Sequence, residues 1–295
     1  MTLIVTVNGR ESIWLLADRR LSYKARPPID NARKVMFLEC RDGVAILGYA
    51  GLGATASGTE PADWMSAVLR GRNLPLEQSL GVLADAMKKQ FPRHMIRMPG
   101  NGGPAHFVLV TAFIGSETRL YSIGIALRDN HFRYTRHVTD TTTLRARRIG
   151  LAGSGQIYLL QDKRWVRPLL RMVKAHELGH VSAHVVEDHL ANLNNEVHLG
   201  ITDNSVGPRC IVACRYKRGG GRHQLYTGKD RDSSDTLLPT IASGRDISAL
   251  TALLMRHHVN PFEPMMHGEH ANCLDKDEYY EELARLPVKP DENLR

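Results

Sequence analysis

Cysteine is scarce in this chain: four residues in 295, at positions 40, 210, 214 and 273. A chain of that size held by disulfides would need more, so a disulfide framework is excluded. Cys210 and Cys214 stand four apart in one apolar run, on one face of a strand, and read as buried free thiols. Long hydrophobic runs are also missing, which excludes a bilayer-spanning helix. The apolar start at Leu3–Val7 is too short for a secretory signal and has no basic leader. The expectation is a cytoplasmic protein whose Met1 is removed ahead of a small second residue. Aromatics make up only 6% of the chain and do not interleave with any basic block. The net charge of +8, from 39 basic and 31 acidic residues, is spread along the sequence. A nucleic-acid partner is therefore not expected. What remains is ordinary globular composition, 42% hydrophobic and 24% charged.

Four short apolar runs rich in β-branched residues open the chain. They are Thr2–Asn8, Ile13–Ser22, Ala32–Leu38 and Val44–Leu52, separated by turn residues, and they predict four successive strands. Helical spacing follows over Pro61–Leu69 and Leu76–Phe91. Strands are expected over His106–Ile114, Leu120–Leu127, Phe132–Val138 and Arg148–Ala152, with a turn at residues 128–131. One helix is expected from Gln156 to about Lys174 and another from Ser182 to Asn195. A hairpin of Arg209–Tyr216 and Gln224–Tyr226 turns at Gly219–Gly221. After Gly228 the composition changes. A polar linker, a short amphipathic helix over Asp246–His257 and a proline- and charge-rich tail are expected. The expected division is a domain over residues 1–228 and an extension over 229–295.

Thr2 becomes the first residue once Met1 is removed. It then carries a hydroxyl and a free amine, a nucleophile with its own base attached. Asp18, Arg20 and Ser22 lie at the end of the second strand, and Lys34 opens the third. Asp18 and Lys34 stand 16 and 32 residues after Thr2. Ala50–Gly51 closes the fourth strand, Gly153–Ser154–Gly155 precedes the third helix, and Asp203 follows the fourth. In this order and at these offsets the chain resembles the proteasome-type N-terminal-nucleophile (Ntn) hydrolases, which include proteasome β-subunits and the related bacterial ATP-dependent peptidase. The turn before Ala50–Gly51 is slightly longer than in that family, and the chain departs from the pattern in two further places. Leu3 follows the threonine where that family usually has Thr or Ser. Asn204–Ser205–Val206–Gly207 follows the late aspartate where it usually has Ala-Tyr-Ser-Gly-Gly.

The resemblance covers about residues 2–227 and implies an α+β, four-layer αββα sandwich. It implies an amide hydrolase, most simply a peptidase, that needs no cofactor. Thr2 would be the nucleophile, Lys34 a fixed positive charge beside it and Asp18 the group that orients Lys34. The Gly51 N–H would face the oxyanion, and Ser154 and Asp203 would orient the α-amine. Arg20 and Ser205 would support them. The implied assembly is a homo-oligomeric ring with a possible ATP-dependent unfoldase partner.

One motif points elsewhere. His176-Glu177-Leu-Gly-His180 satisfies the H-E-x-x-H zinc-protease pattern. That chemistry needs both histidines on one helical face and a third ligand. The positions that would supply the extended motif hold Ala183 and Val186. Gly179 is a helix stop and Ser182 the N-cap of the next helix, so the motif is expected on a turn. Two further alternatives stay open at this point, a silent scaffold of the same fold and a binding protein with no reaction.

Overall fold

The computed structural model describes residues 2–21, 27–51, 60–96, 105–128, 131–140, 148–234, 237–258, 276–287 and 289. Two sheets stack face to face. The first has the order β11(Asp230–Asp232), β10(Gly221–Thr227), β9(Arg209–Tyr216), β2(Ser12–Asp18), β1(Ile4–Asn8), β8(Ile149–Ala152). The second runs β13(Arg245–Asp246), β12(Thr240–Ala242), β3(Val35–Glu39), β4(Gly43–Ala50), β5(Ala105–Ile114), β6(Glu117–Arg128), β7(His131–Asp140). Helices α1(Pro61–Leu69) and α2(Leu76–Ile96) pack on the outer face of the second sheet, around Trp64, Leu80, Phe91, Tyr49 and Val110. Helices α3(Gln156–Gln161), α4(Val166–Glu177) and α5(Ala183–Gly200) cover the outer face of the first. The result is the four-layer αββα sandwich expected from the sequence.

The apolar runs explain this directly. Each central strand is covered on both sides, so β1 and β2 are buried at every position. Side chains alternate between the layers. Leu3, Val5 and Val7 pack under α4 and α5, while Ile4 joins Leu15, Val35, Ile46 and Ile211 between the sheets. Burying a Leu, Ile or Val contributes about 1.5–3 kcal/mol, and these interior rows are what hold the layers together.

Three segments differ from expectation. The helix expected over Gln156–Lys174 is two helices, because the Asp162 carboxylate accepts from the Arg164 backbone N–H at 2.9 Å and diverts the chain into a turn. α2 runs past Phe91 through Pro92 to Ile96; buried Phe91 and Met95, one turn apart, hold the segment beyond the proline against the core. The stretch expected as linker, Lys229–Asp235, and the residues between it and the expected helix add strands to both sheets. β11 extends the first, and β12 lies parallel to β3, with Ile241 fully buried. A short polar segment beside an apolar edge needs only one or two buried side chains to be recruited, a signal too brief for periodicity to carry. α6(Ile247–His258) follows, close to the expected Asp246–His257, and then α7(Lys276–Arg285). The turn at residues 129–130 and Ser22 lie outside the described residues.

Candidate active site

The ends of three strands converge on Thr2. It lies just before β1, Asp18 ends β2, and Lys34 immediately precedes β3. Lys34 Nζ is 2.6 Å from Thr2 Oγ1 and 3.2 Å from Asp18 Oδ1, and it also donates to the Arg20 carbonyl. The Thr2 hydroxyl donates to Asp18 Oδ1. Asp18 accepts three backbone N–H groups as well, from Leu3 at 2.9 Å, Arg20 at 3.1 Å and Gly207 at 3.2 Å. All three side chains are buried, Lys34 at 2% exposure and Asp18 at 0%. Burial pushes the Lys34 amine below its ordinary value of 10.5, and the negative charge of Asp18 opposes that shift. Removal from water is the larger effect, so the lysine gives up its proton more readily than a surface lysine.

The other expected residues fall around this cluster. Gly51 is one residue past β4, and its lost Cβ is required, since a side-chain carbon there would lie 2.9 Å from the Ala105 carbonyl and 3.0 Å from His106 Nδ1. The Tyr49 N–H donates to the Lys34 carbonyl at 2.9 Å, which ties the end of β4 to the lysine. Ser154 lies between two glycines that touch Thr2. The Gly155 N–H donates to the Thr2 carbonyl at 3.2 Å, and Gly153, at φ +89°, presses its backbone on that same carbonyl. Ser154 Oγ and Ser205 Oγ are 2.9 Å apart, and the Ser205 N–H donates to Asp203 Oδ1 at 2.9 Å. Among the described residues, neither Ser154 nor Asp203 bonds directly to Thr2. Arg20 pairs with Asp30 at 2.6 Å and donates to the Asn204 carbonyl at 2.9 Å, joining the end of β2 to the loop that carries Asp203 and Ser205. Sequence reasoning missed Gly207 and Asp30; a lone glycine and a loop aspartate carry no pattern.

The H-E-x-x-H segment is not on one helix face. α4 ends at Glu177, Leu178 caps it, and Gly179 turns the chain at φ +76°. His180 lies beyond the helix, while the His176 Nδ1–H donates to the Val181 carbonyl at 3.1 Å. Glu177 Oε1 accepts from the N–H groups of Glu11 and Ser12, at 2.8 and 2.9 Å, and from the Ser12 hydroxyl at 3.0 Å. This glutamate pins the β1–β2 turn. No group of three or more His, Cys, Asp or Glu suited to a metal occurs among the described residues. A cavity of about 600 Å³, lined by Arg33, Asp63, Arg70, Leu237 and Met255 among others, does not include Thr2. Among the described residues no helix is long and apolar enough to cross a membrane.

The two stacked sheets with helices on both outer faces define the class of architecture. No family model and no curated protein matches the sequence. Among solved structures, the chain is similar to the helical assembly of the Anbu complex from Pseudomonas aeruginosa, with TM-score 0.49, 12% identity and 98% of each chain covered. It is similar to an Anbu (Gly-1) mutant from Hyphomicrobium sp. strain MC1, with TM-score 0.47, 15% identity, and 78% and 89% covered. It is also similar to eukaryotic HslV from Trypanosoma brucei, with TM-score 0.38, 15% identity, and 72% and 98% covered. At such values the likeness says nothing about chemistry.

Proposed function

We propose that this chain is an N-terminal-threonine amide hydrolase, most simply a peptidase, acting once Met1 has been removed. The observation that carries the reading is the buried Lys34 Nζ 2.6 Å from Thr2 Oγ1, with the Asp18 carboxylate accepting from both. A threonine hydroxyl is a poor nucleophile unless its proton is drawn off and the resulting oxygen is stabilised. Lys34 supplies the stabilising charge. The Thr2 α-amine, with a reference pKa of about 7.7–8.0, supplies a base that works near neutral pH.

In the first step Thr2 Oγ bonds to the amide carbon and its proton passes to the α-amine, through a water. The Gly51 N–H faces the oxyanion. The carbon–nitrogen bond then breaks and the departing amine takes the proton from the α-ammonium, leaving an ester on Thr2. Water, deprotonated by the same amine, hydrolyses that ester and restores the enzyme. The chain Ser154–Ser205–Asp203, flanked by glycines packed on Thr2, orients the amine and its water. Arg20 fixes the loop that carries two of those groups. No cofactor enters the scheme. A homo-oligomeric ring working with an unfoldase in the cytoplasm is part of the same proposal; it rests on the sequence resemblance, and native mass of the purified protein tests the ring.

Thr2 is 1% exposed, so reaction requires both loss of Met1 and room beside the hydroxyl. Intact mass with and without a covalent threonine-directed electrophile tests both. The expected result is a chain lacking Met1 that gains one adduct on the N-terminal peptide, and no adduct in Thr2→Ala. Amide hydrolysis that continues unchanged in Thr2→Ala would sink the reading. A fully retained Met1 would leave a silent scaffold.

A further inference from the structure

The β4–β5 ladder stops one step short of Gly51. Its last pair is Ala50 with Phe107, and the next step of that register sets Gly51 against His106. Residues opposite each other in a ladder share a face, as do residues two apart. Gly51, Tyr49 and His106 therefore share the face covered by α2. The space that a side chain at 51 would fill is closed by the Ala105 carbonyl at 2.9 Å and by His106, whose Nδ1 lies 3.0 Å and Cα 3.1 Å from where a Cβ would stand. His106 is fully buried, and its ring is 4.3 Å from that of Phe91. The Tyr49 hydroxyl and His106 Nδ1 are hydrogen-bonded. The phenol is held from below by Phe91, ring centroids 6.5 Å apart and nearly perpendicular. Burial pushes the Tyr49 pKa up, so its hydroxyl keeps its proton and donates. A bulky, hydrogen-bonded pair thus stands under the one glycine whose N–H the reaction needs.

We propose that Tyr49 and His106 are positioning residues for the oxyanion donor. Locked to each other, they set the height of the Gly51 peptide and so the aim of its N–H. This rests on the threonine-hydrolase reading and deepens it. Neither side chain touches substrate; they act through the backbone of Gly51. An unpaired imidazole would let the peptide tilt. A displacement of about 1 Å in a catalytic group can cost about 100-fold in rate.

The test uses two electrophiles on protein whose intact mass shows the Thr2 amine free. A β-lactone is opened through a carbonyl oxyanion, whereas a peptidyl vinyl sulfone is captured by conjugate addition with no such oxyanion. In Tyr49→Phe, which keeps the ring, and in His106→Gln, β-lactone acylation of Thr2 is expected to fall about 10- to 100-fold. Vinyl sulfone capture should stay within about twofold, because Lys34 and Asp18 are untouched. Equal loss with both reagents, or no loss with either, would overturn the proposal. Tyr49→Phe keeps the question answerable should His106→Gln fail to fold. A wild-type chain that neither reagent labels at Thr2 would instead remove the underlying hydrolase reading.

Discussion

Asp18 and Lys34 are ion-paired, yet their removal should have unequal consequences. Asp18 accepts from Thr2, Lys34 and three backbone N–H groups, whereas Lys34 has two oxygen partners besides Asp18. In Asp18→Ala two buried N–H groups and a part-buried one lose an acceptor, and the buried Lys34 amine loses its counter-charge. An unsatisfied buried group costs about 1–3 kcal/mol. Urea titration should show Asp18→Ala less stable than wild type by about 3 kcal/mol or more, and Lys34→Met by less, because Asp18 keeps its hydroxyl and backbone N–H donors. The lysine also has a pH signature. Its folded pKa lies below the ordinary 10.5, so the folded state binds fewer protons than the unfolded one between those two values. The cost of burying its charge is present at low pH and is relieved as pH rises toward 10.5. Unfolding free energy measured across pH 7–10 should therefore rise more for wild type than for Lys34→Met. Thr2, Asp18 and Lys34 could be picked out in the sequence because their order and offsets resemble the Ntn-hydrolase pattern. Tyr49 and His106 could not, for a buried histidine and tyrosine inside strands look like core.

At the scale of the element, turns and caps do as much as strands. Glu177 ends α4 and accepts three donors from the β1–β2 turn, and a Cβ at Gly9 would collide with its carboxylate. Glu177→Gln keeps the shape but weakens charge-assisted bonds to two N–H groups, so a loss of about 1–2 kcal/mol is expected in thermal unfolding, with no change in bound metal. A zinc content that fell in proportion to this substitution would contradict that role. Gly153→Ala should do more. Its φ is +89° and the added methyl would strike the Thr2 carbonyl, so Thr2 labelling should drop even where the chain still folds. The turn placement of the H-E-x-x-H segment could be read from Gly179 and Ser182. The split of the helix after Gln161 could not, because Asp162 and Arg164 pair with each other locally and look like an ordinary solvated helix face.

At the scale of the whole molecule, the late strands bear on stability. β12 extends the second sheet beside β3, the Phe37 N–H donates to the Pro239 carbonyl at 2.9 Å, and Leu238, Ile241 and Leu253 are buried. A chain ending at residue 234 forfeits those three side chains. At about 1.5–3 kcal/mol each, that approaches the entire stability of a typical domain. Such a truncation is expected to be largely insoluble or unfolded, as circular dichroism and solubility would show; a truncation as stable as the full chain would contradict the role given to β12. The sandwich was legible from the order of apolar runs, since strands covered on both faces must be apolar throughout. The recruitment of 230–232 and 240–246 was not, because its contribution is a few side chains set among Asp, Arg and Ser.

The burial of Thr2 has a consequence in time. The strand that carries it is flanked in the first sheet by β2 and β8, and β2 in turn by β9, so its surroundings are complete only when residue 216 has been made. Until then a nascent chain on the ribosome keeps its amino end within reach of an aminopeptidase. After the layers close, Thr2 itself is 1% exposed. Under the chemistry proposed for Thr2, the amine is therefore most easily freed while the chain is still being made.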